Sequence, residues 1–207
     1  MSTAIVGVGN IGAVVAGQLV AGGEPVVLTS KDDTGAESLA KTLGPLARAA
    51  SVDEALSSAD AVVFAVWLDT MRELVAANAS LLENKTIIDP SNPIGFDASG
   101  QIMRTLPEGQ SAASVIASLL PPNAHYVKAF GTLGATDLAQ QANRELHPDV
   151  QIPAVFRRDV RPLECDGVQT RYLGDPADLL LLTMDDVVAL ATGVPVGLRT
   201  QGNQQPE

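Results

Sequence analysis

The chain has 207 residues, 46% of them hydrophobic and 18% charged, enough to bury one sizeable core with room for a small appendage. Its 24 acidic side chains outweigh 13 basic ones, and the net charge of −11 argues against a nucleic-acid surface while leaving room for a local site for one small anion. The single cysteine, Cys165, cannot form an internal disulfide, the chain opens on an apolar strand pattern rather than a leader, and the longest aliphatic run, Leu179 to Leu182, is too short to span a membrane. The expectation is a cytoplasmic globular protein with no membrane or nucleic-acid partner.

Taken in chain order, apolar runs of strand length alternate with stretches of helical period. Ala4 to Val8 reads as a strand, Ile11 to Ala21 as a helix, Val26 to Thr29 as a strand and Thr34 to Leu43 as a helix. That rhythm predicts βαβ units and a parallel sheet. Leu46 to Ala50 is a weaker strand; Ala61 to Val66, Thr86 to Asp89 and Tyr126 to Phe130 are buried strands, with helices at Thr70 to Leu82 and Ser111 to Leu120 between them. Six strands in this order suit a doubly wound dinucleotide fold. The stretch from Asp89 to Gln110, dense in Pro and Gly, reads as a long loop of the kind that carries function. Further on, Ile152 to Phe156 and Val168 to Leu173 are candidate strands, Ala177 to Ala191 is a candidate helix, and Thr200 to Glu207 is a polar tail expected to be disordered.

Gly7, Gly9 and Gly12 stand as G-V-G-N-I-G between the first strand and the first helix, the context that a dinucleotide fingerprint requires. Gly7 permits the tight turn, Gly9 the approach of a pyrophosphate, and Gly12 close helix-to-strand packing, with the helix N-terminus facing the phosphates. The bland alternative is a glycine turn without a ligand. Where an NAD site places Asp or Glu at the end of the second strand, this chain has Thr29, Ser30 and Lys31. No carboxylate repels a 2′-phosphate there, and two hydroxyls plus a cation can bind one, so NADP is expected over NAD. Asp32 and Asp33, which follow, can instead cap the next helix. Trp67, the only tryptophan, ends the fourth strand at the edge where ligands bind, and either walls the cleft or simply packs.

After the fifth strand comes Asp89-Pro90-Ser91-Asn92-Pro93, and after the sixth Lys128-Ala129-Phe130-Gly131-Thr132-Leu133-Gly134-Ala135, two loops that should face each other across one crevice. Together with G-V-G-N-I-G, T-S-K and A-V-W, these motifs over residues 1 to about 140 resemble the NADP oxidoreductase family that includes the coenzyme F420-dependent NADP reductases. The resemblance implies an α/β fold, a doubly wound Rossmann-type parallel sheet. It implies that Gly7, Gly9, Asn10, Ile11 and Gly12 hold the pyrophosphate, and that Thr29, Ser30 and Lys31 hold the 2′-phosphate, Lys31 standing where the family commonly has Arg. Val66 and Trp67 would line the nicotinamide ribose, and Thr132 to Ala135, Leu133 among them, would meet the carboxamide. Asn92, Pro93, Lys128 and Thr132 would face the acceptor, and Gly131 stands where relatives often carry Asn or His.

From about Arg144 the chain departs from the family pattern. The expected organisation is therefore an NADP-binding Rossmann domain at 1–140, a small divergent C-terminal portion at 141–199, and a tail at 200–207. His125, His147 and Cys165 read as structural rather than catalytic, and Cys165 has no partner at metal-ligand spacing. No side chain is expected to be catalytic and no metal is expected. This poverty in acid-base groups suits hydride transfer between nicotinamide and a planar acceptor, coenzyme F420 or a flavin, because the two rings carry the chemistry. Two other readings stay open: a non-catalytic NADP(H)-sensing module, and a 2-hydroxyacid or imine reductase with Lys128 as proton donor. The apolar stretch Ala177 to Ala191 suggests a homodimer.

Overall fold

The computed structural model describes residues 2–131, 134–141 and 155–157. Elements follow in the order β1 (Thr3–Val6), α1 (Asn10–Ala21), β2 (Val26–Thr29), α2 (Asp33–Leu43), β3 (Ala47–Ala49), α3 (Val52–Ser58), β4 (Ala61–Phe64), α4 (Leu68–Ala77), β5 (Thr86–Asp89), β6 (Ile94–Phe96), β7 (Ile102–Arg104), α5 (Ala112–Ala117), β8 (His125–Lys128), α6 (Ala135–Gln141) and β9 (Val155–Arg157). The main sheet runs β3-β2-β1-β4-β5-β8-β9. Its first six strands are parallel, and β9 pairs antiparallel with β8. This is the doubly wound order expected from the sequence, with the direction of winding reversing between β1 and β4.

Strands β1, β2 and β4 are buried at every position, which is why they read as unbroken apolar runs instead of alternating ones. Alternate side chains feed opposite faces. Val6, Val62 and Phe64 join a core with Leu56 of α3, Met71 and Val75 of α4 and Ile116 of α5. Ile5, Leu28 and Val63 join a second core with Val15 and Leu19 of α1, Ala40 of α2 and Leu138 of α6.

Several expected boundaries shift for local reasons. β1 stops at Val6 rather than Val8 because Gly7 turns at φ +93°, its N–H donating to the Thr29 carbonyl at 2.8 Å. β4 stops at Phe64 rather than Val66, where the Val66 N–H turns back to the Phe64 carbonyl at 2.9 Å. β8 ends at Lys128 rather than Phe130, which takes φ +63°. The helix expected at Thr70 to Leu82 starts earlier, at Leu68, and ends where the Asn78 side chain donates to the Leu74 carbonyl at 2.8 Å; a short 3-10 turn, Ala79–Leu82, follows. α5 is shorter than expected but carries a reciprocal capping box between Ser111 and Ser114.

The stretch expected as one long loop is corrected, since it holds the antiparallel hairpin β6–β7, with Ile94 opposite Arg104 and Phe96 opposite Ile102. α3 and α6 were not expected. β9 overlaps the end of the strand expected at Ile152 to Phe156. The elements expected at Val168 to Leu173 and Ala177 to Ala191, the tail at 200–207, His147, Cys165 and nearly all of the expected portion 141–199 lie outside the described residues. No helix among the described residues is long and apolar enough to cross a membrane.

Candidate functional site

The carboxyl ends of β1, β2, β4, β5 and β8 meet along one edge of the sheet, and the loops after them carry the residues singled out from the sequence. At β1 the three glycines have distinct local needs. A Cβ on Gly7 would lie 2.6 Å from the Ala65 carbonyl oxygen, and its φ of +93° is itself unfavourable for a side chain. A Cβ on Gly12 would lie 1.9 Å from the Gly7 carbonyl oxygen, so only glycine lets α1 approach this turn. Around Gly9 the space is open, with nothing within 4 Å of an added Cβ. Gly9 is the N-cap of α1, has no side chain to satisfy the first-turn N–H groups, and no acidic residue stands in that turn. Asn10 is exposed and Ile11 half-buried beside it. Such a helix start, with its dipole and free donors, suits an anion. The cradle therefore fits a dinucleotide pyrophosphate.

At the end of β2, Thr29 is buried and Lys31 is exposed. Ser30 has a further role that sequence reading missed. Its hydroxyl donates to the Asp32 carbonyl and accepts from the Ala36 N–H at 3.0 Å. A cap for the first turn of α2 is thus supplied from Ser30, while Asp32 occupies the N-cap position without a side-chain bond. A close Gly35 makes this possible, since an added Cβ there would lie 3.4 Å from the Ser30 hydroxyl and 3.2 Å from the Asp32 carboxylate.

After β4, Ala65 and Val66 wall the glycine turn, the Val66 side chain lying 2.6 Å from a Cβ added to Gly7. Trp67 is 57% exposed and meets Phe96 of the hairpin edge-to-face, with ring centroids 6.1 Å apart.

Beyond β5 the structure assembles a polar cluster that the sequence showed only in part. Asp89 is fully buried. Its carboxylate accepts from the Tyr126 hydroxyl at 2.6 Å and from the Ser91 N–H at 2.6 Å. Lys128 Nζ donates to the Asp89 and Ser91 carbonyls at 3.0 and 2.5 Å, and stands 3.9 Å from the Asp89 carboxylate. Asn92 Nδ2 donates to the Gly131 carbonyl at 2.6 Å, tying together the two loops expected to face each other. Burial lowers the Lys128 pKa against the opposing pull of Asp89. Burial, then the Asp89 charge, pushes the Tyr126 phenol up, so it remains a donor. Pro93 is half-buried beside Asn92, and Ala135 is half-buried at the start of α6; Thr132 and Leu133 lie outside the described residues. In the sequence Tyr126 reads only as a strand residue, and Asp89 as the strand end that opens the D-P-S-N-P motif. A charged residue closing an apolar strand was the available signal, but its partner 37 positions away was not. His125 is exposed at the start of β8, and the described residues hold no group of three or more potential metal ligands.

Fold and glycine turn define a doubly wound α/β protein of the Rossmann type. Residues 2–93 match the family model described as NADP oxidoreductase, coenzyme F420-dependent. Among solved structures, a hypothetical protein from Sinorhizobium meliloti is 30% identical, with TM-score 0.59, over 68% of this chain and 66% of that one, just under two thirds of its length. A putative F420-dependent NADP reductase from an Arthrobacter species shares the fold at 21% identity and TM-score 0.66, over 94% of this chain and 80% of that one. Among curated proteins none matches.

Proposed function

We propose that this protein is an NADP(H)-dependent oxidoreductase that passes a hydride between nicotinamide and a planar acceptor, coenzyme F420 or a flavin. The observation that carries the reading is the cradle at Gly9, open and uncapped at the start of α1, beside a β2 end that offers Lys31 and no carboxylate up to that point. Gly7 to Gly12 hold the pyrophosphate, Thr29 and Lys31 flank the 2′-phosphate, and Val66 and Trp67 line the nicotinamide side. Bound nicotinamide supplies the hydride. The chain's own residues orient and exclude water, which suits a site without a free acid-base pair among the described residues.

Reduction of a small carbonyl or imine asks for a proton donor, and Lys128 is the candidate. Two of its three N–H groups bond loop carbonyls, which fixes it as a hydrogen-bond donor rather than a mobile proton source and favours the two-ring reading. NADPH oxidation is to be followed with F420, FMN and small carbonyls offered separately. Turnover with F420 or FMN is expected; turnover with a carbonyl alone overturns the planar acceptor, and tight NADPH binding without transfer to any of them makes the protein a sensor. A cytoplasmic homodimer belongs to the same proposal, and light scattering at micromolar concentration should give twice the 21.4 kDa chain mass.

A further inference from the structure

The cluster beyond β5 contains more than ring stacking needs. Lys128 has three N–H donors. Two go to the Asp89 and Ser91 carbonyls, and the Asp89 carboxylate at 3.9 Å is outside hydrogen-bond range. Asn92 spends its Nδ2 on the Gly131 carbonyl, which fixes the amide orientation and leaves Oδ1 as an acceptor. Both groups border the same space. A Cβ added to Gly131 would lie 3.0 Å from Lys128 Nζ and 3.0 Å from Asn92 Oδ1, with the Pro90 carbonyl at 3.3 Å. Because residue 131 has no side chain, an ammonium and an amide oxygen flank one notch beside its Cα. The Lys128 side chain is 21% exposed, so the notch is not sealed. In the same loop the buried Ser91 hydroxyl has no partner among the described residues, a further polar group that a ligand could satisfy.

We propose that the notch over Gly131 receives a carbonyl or hydroxyl oxygen carried by the hydride acceptor, Lys128 donating to that oxygen and Asn92 Oδ1 accepting where it bears a proton. The inference rests on the reading of this sheet edge as a nicotinamide site, since β5 and β8 lie on the same side of the switch point as β4. It narrows the planar acceptor to rings that carry such an oxygen. Lys128 is then a specificity residue whose lock on the loop carbonyls holds it in place, and a ligand oxygen would replace part of the solvation its burial removes.

The test is fluorescence titration of F420, FMN and phenazine into the full chain, alone and with NADP+, for the wild type, Gly131→Ala and Lys128→Met. Phenazine is a tricycle of similar outline with no ring oxygen. F420 or FMN should bind the wild type, and each variant should weaken that binding by about tenfold or more, the loss of one charge-assisted hydrogen bond. Binding of NADP+ should stay within about twofold, and phenazine should be indifferent to Lys128→Met. Gly131→Ala fills the notch while retaining the Lys128 ammonium, so it decides the matter if Lys128→Met loosens the loop. Unchanged F420 and FMN affinity in Gly131→Ala, or no binding of either ring to the wild type, overturns the notch. Binding with the expected variant pattern but without hydride transfer leaves the notch standing and overturns the hydride reading instead.

Discussion

Gly9 and Gly12 are three residues apart and fail differently when given a side chain. A Cβ at Gly12 collides with the Gly7 carbonyl at 1.9 Å, so Gly12→Ala must displace backbone and should cost about 1–3 kcal/mol in chemical denaturation. Gly9 has an ordinary φ of −69° and empty space around it, so Gly9→Ala should melt within about 2 °C of the wild type yet bind NADPH at least about tenfold more weakly, as titration calorimetry would show. Loss of stability without loss of binding in Gly9→Ala would mean that the open space is not the phosphate site. At the end of β2 the two polar residues also divide. Lys31 is exposed and free to reach a 2′-phosphate, and Lys31→Ala should weaken NADPH by roughly ten- to a hundredfold while leaving NADH nearly unchanged. Ser30 caps α2, and Ser30→Asp keeps an acceptor for the Ala36 N–H, so it should invert the cofactor preference without unfolding the helix. Equal losses for both cofactors in Lys31→Ala would remove the main support for NADP. The glycine roles were legible because close approach leaves one residue type; the Ser30 cap was not, because its partner follows six positions later across the turn into α2.

At the scale of elements, the hairpin β6–β7 shows where local pattern is too short to read. Each strand has three residues, below the span over which alternation can be told from chance, and the flanking Pro and Gly residues read as loop. What closes the hairpin is Asp97. Its carboxylate accepts from the Ser99 N–H at 2.8 Å, the Ser99 hydroxyl at 2.7 Å and the Gln101 N–H at 2.9 Å, and Gly100 takes φ +81°. The Ser99 hydroxyl bond, followed by the Gln101 amide, holds the Asp97 carboxyl below its ordinary range. A depressed carboxyl stabilises the turn above its ordinary pKa, and that contribution disappears as pH falls through the lower folded value. Because Trp67 meets Phe96, Trp67 fluorescence should report the change, with a transition below the ordinary Asp range in the wild type and none in Asp97→Ala. An identical acid titration in both proteins would assign the transition elsewhere. α3 is the opposite case. Ser51-Val52-Asp53-Glu54 carries a capping signature, and the Ser51 hydroxyl does accept from the Glu54 N–H at 3.3 Å, so this helix start is legible in the sequence.

On the scale of the whole molecule, the buried Asp89–Tyr126 pair joins the last two parallel strands and fixes the loop that bears Asn92. Tyr126→Phe leaves the buried carboxylate one donor short and should cost about 1–3 kcal/mol in urea denaturation. Its pH signature has a definite sign. The Tyr126 phenol is raised above its ordinary 10.0 in the folded state, so its contribution is complete below that value and falls away as pH rises past it, when the unfolded chain can ionise. Stability above pH 10 should therefore decline more steeply in the wild type than in Tyr126→Phe. Parallel slopes would show that the phenol is not the titrating group.

The sequence by itself determined the alternation of strands and helices and the glycine cradle, because each rests on local signals: continuous apolar runs for strands buried on both faces, and glycine where backbone meets backbone. Val26–Thr29 and Thr86–Asp89 coincide with their expected strands for that reason. Only the tertiary structure decided which polar residues act together. Asp89 meets Tyr126 across 37 positions, Asn92 meets Gly131 across 39, and Lys128 reaches back to Ser91 across 37, all through the pairing of β5 with β8. A parallel pair brings residues distant in sequence to one edge, and no periodicity in either strand encodes which side chain waits on the other.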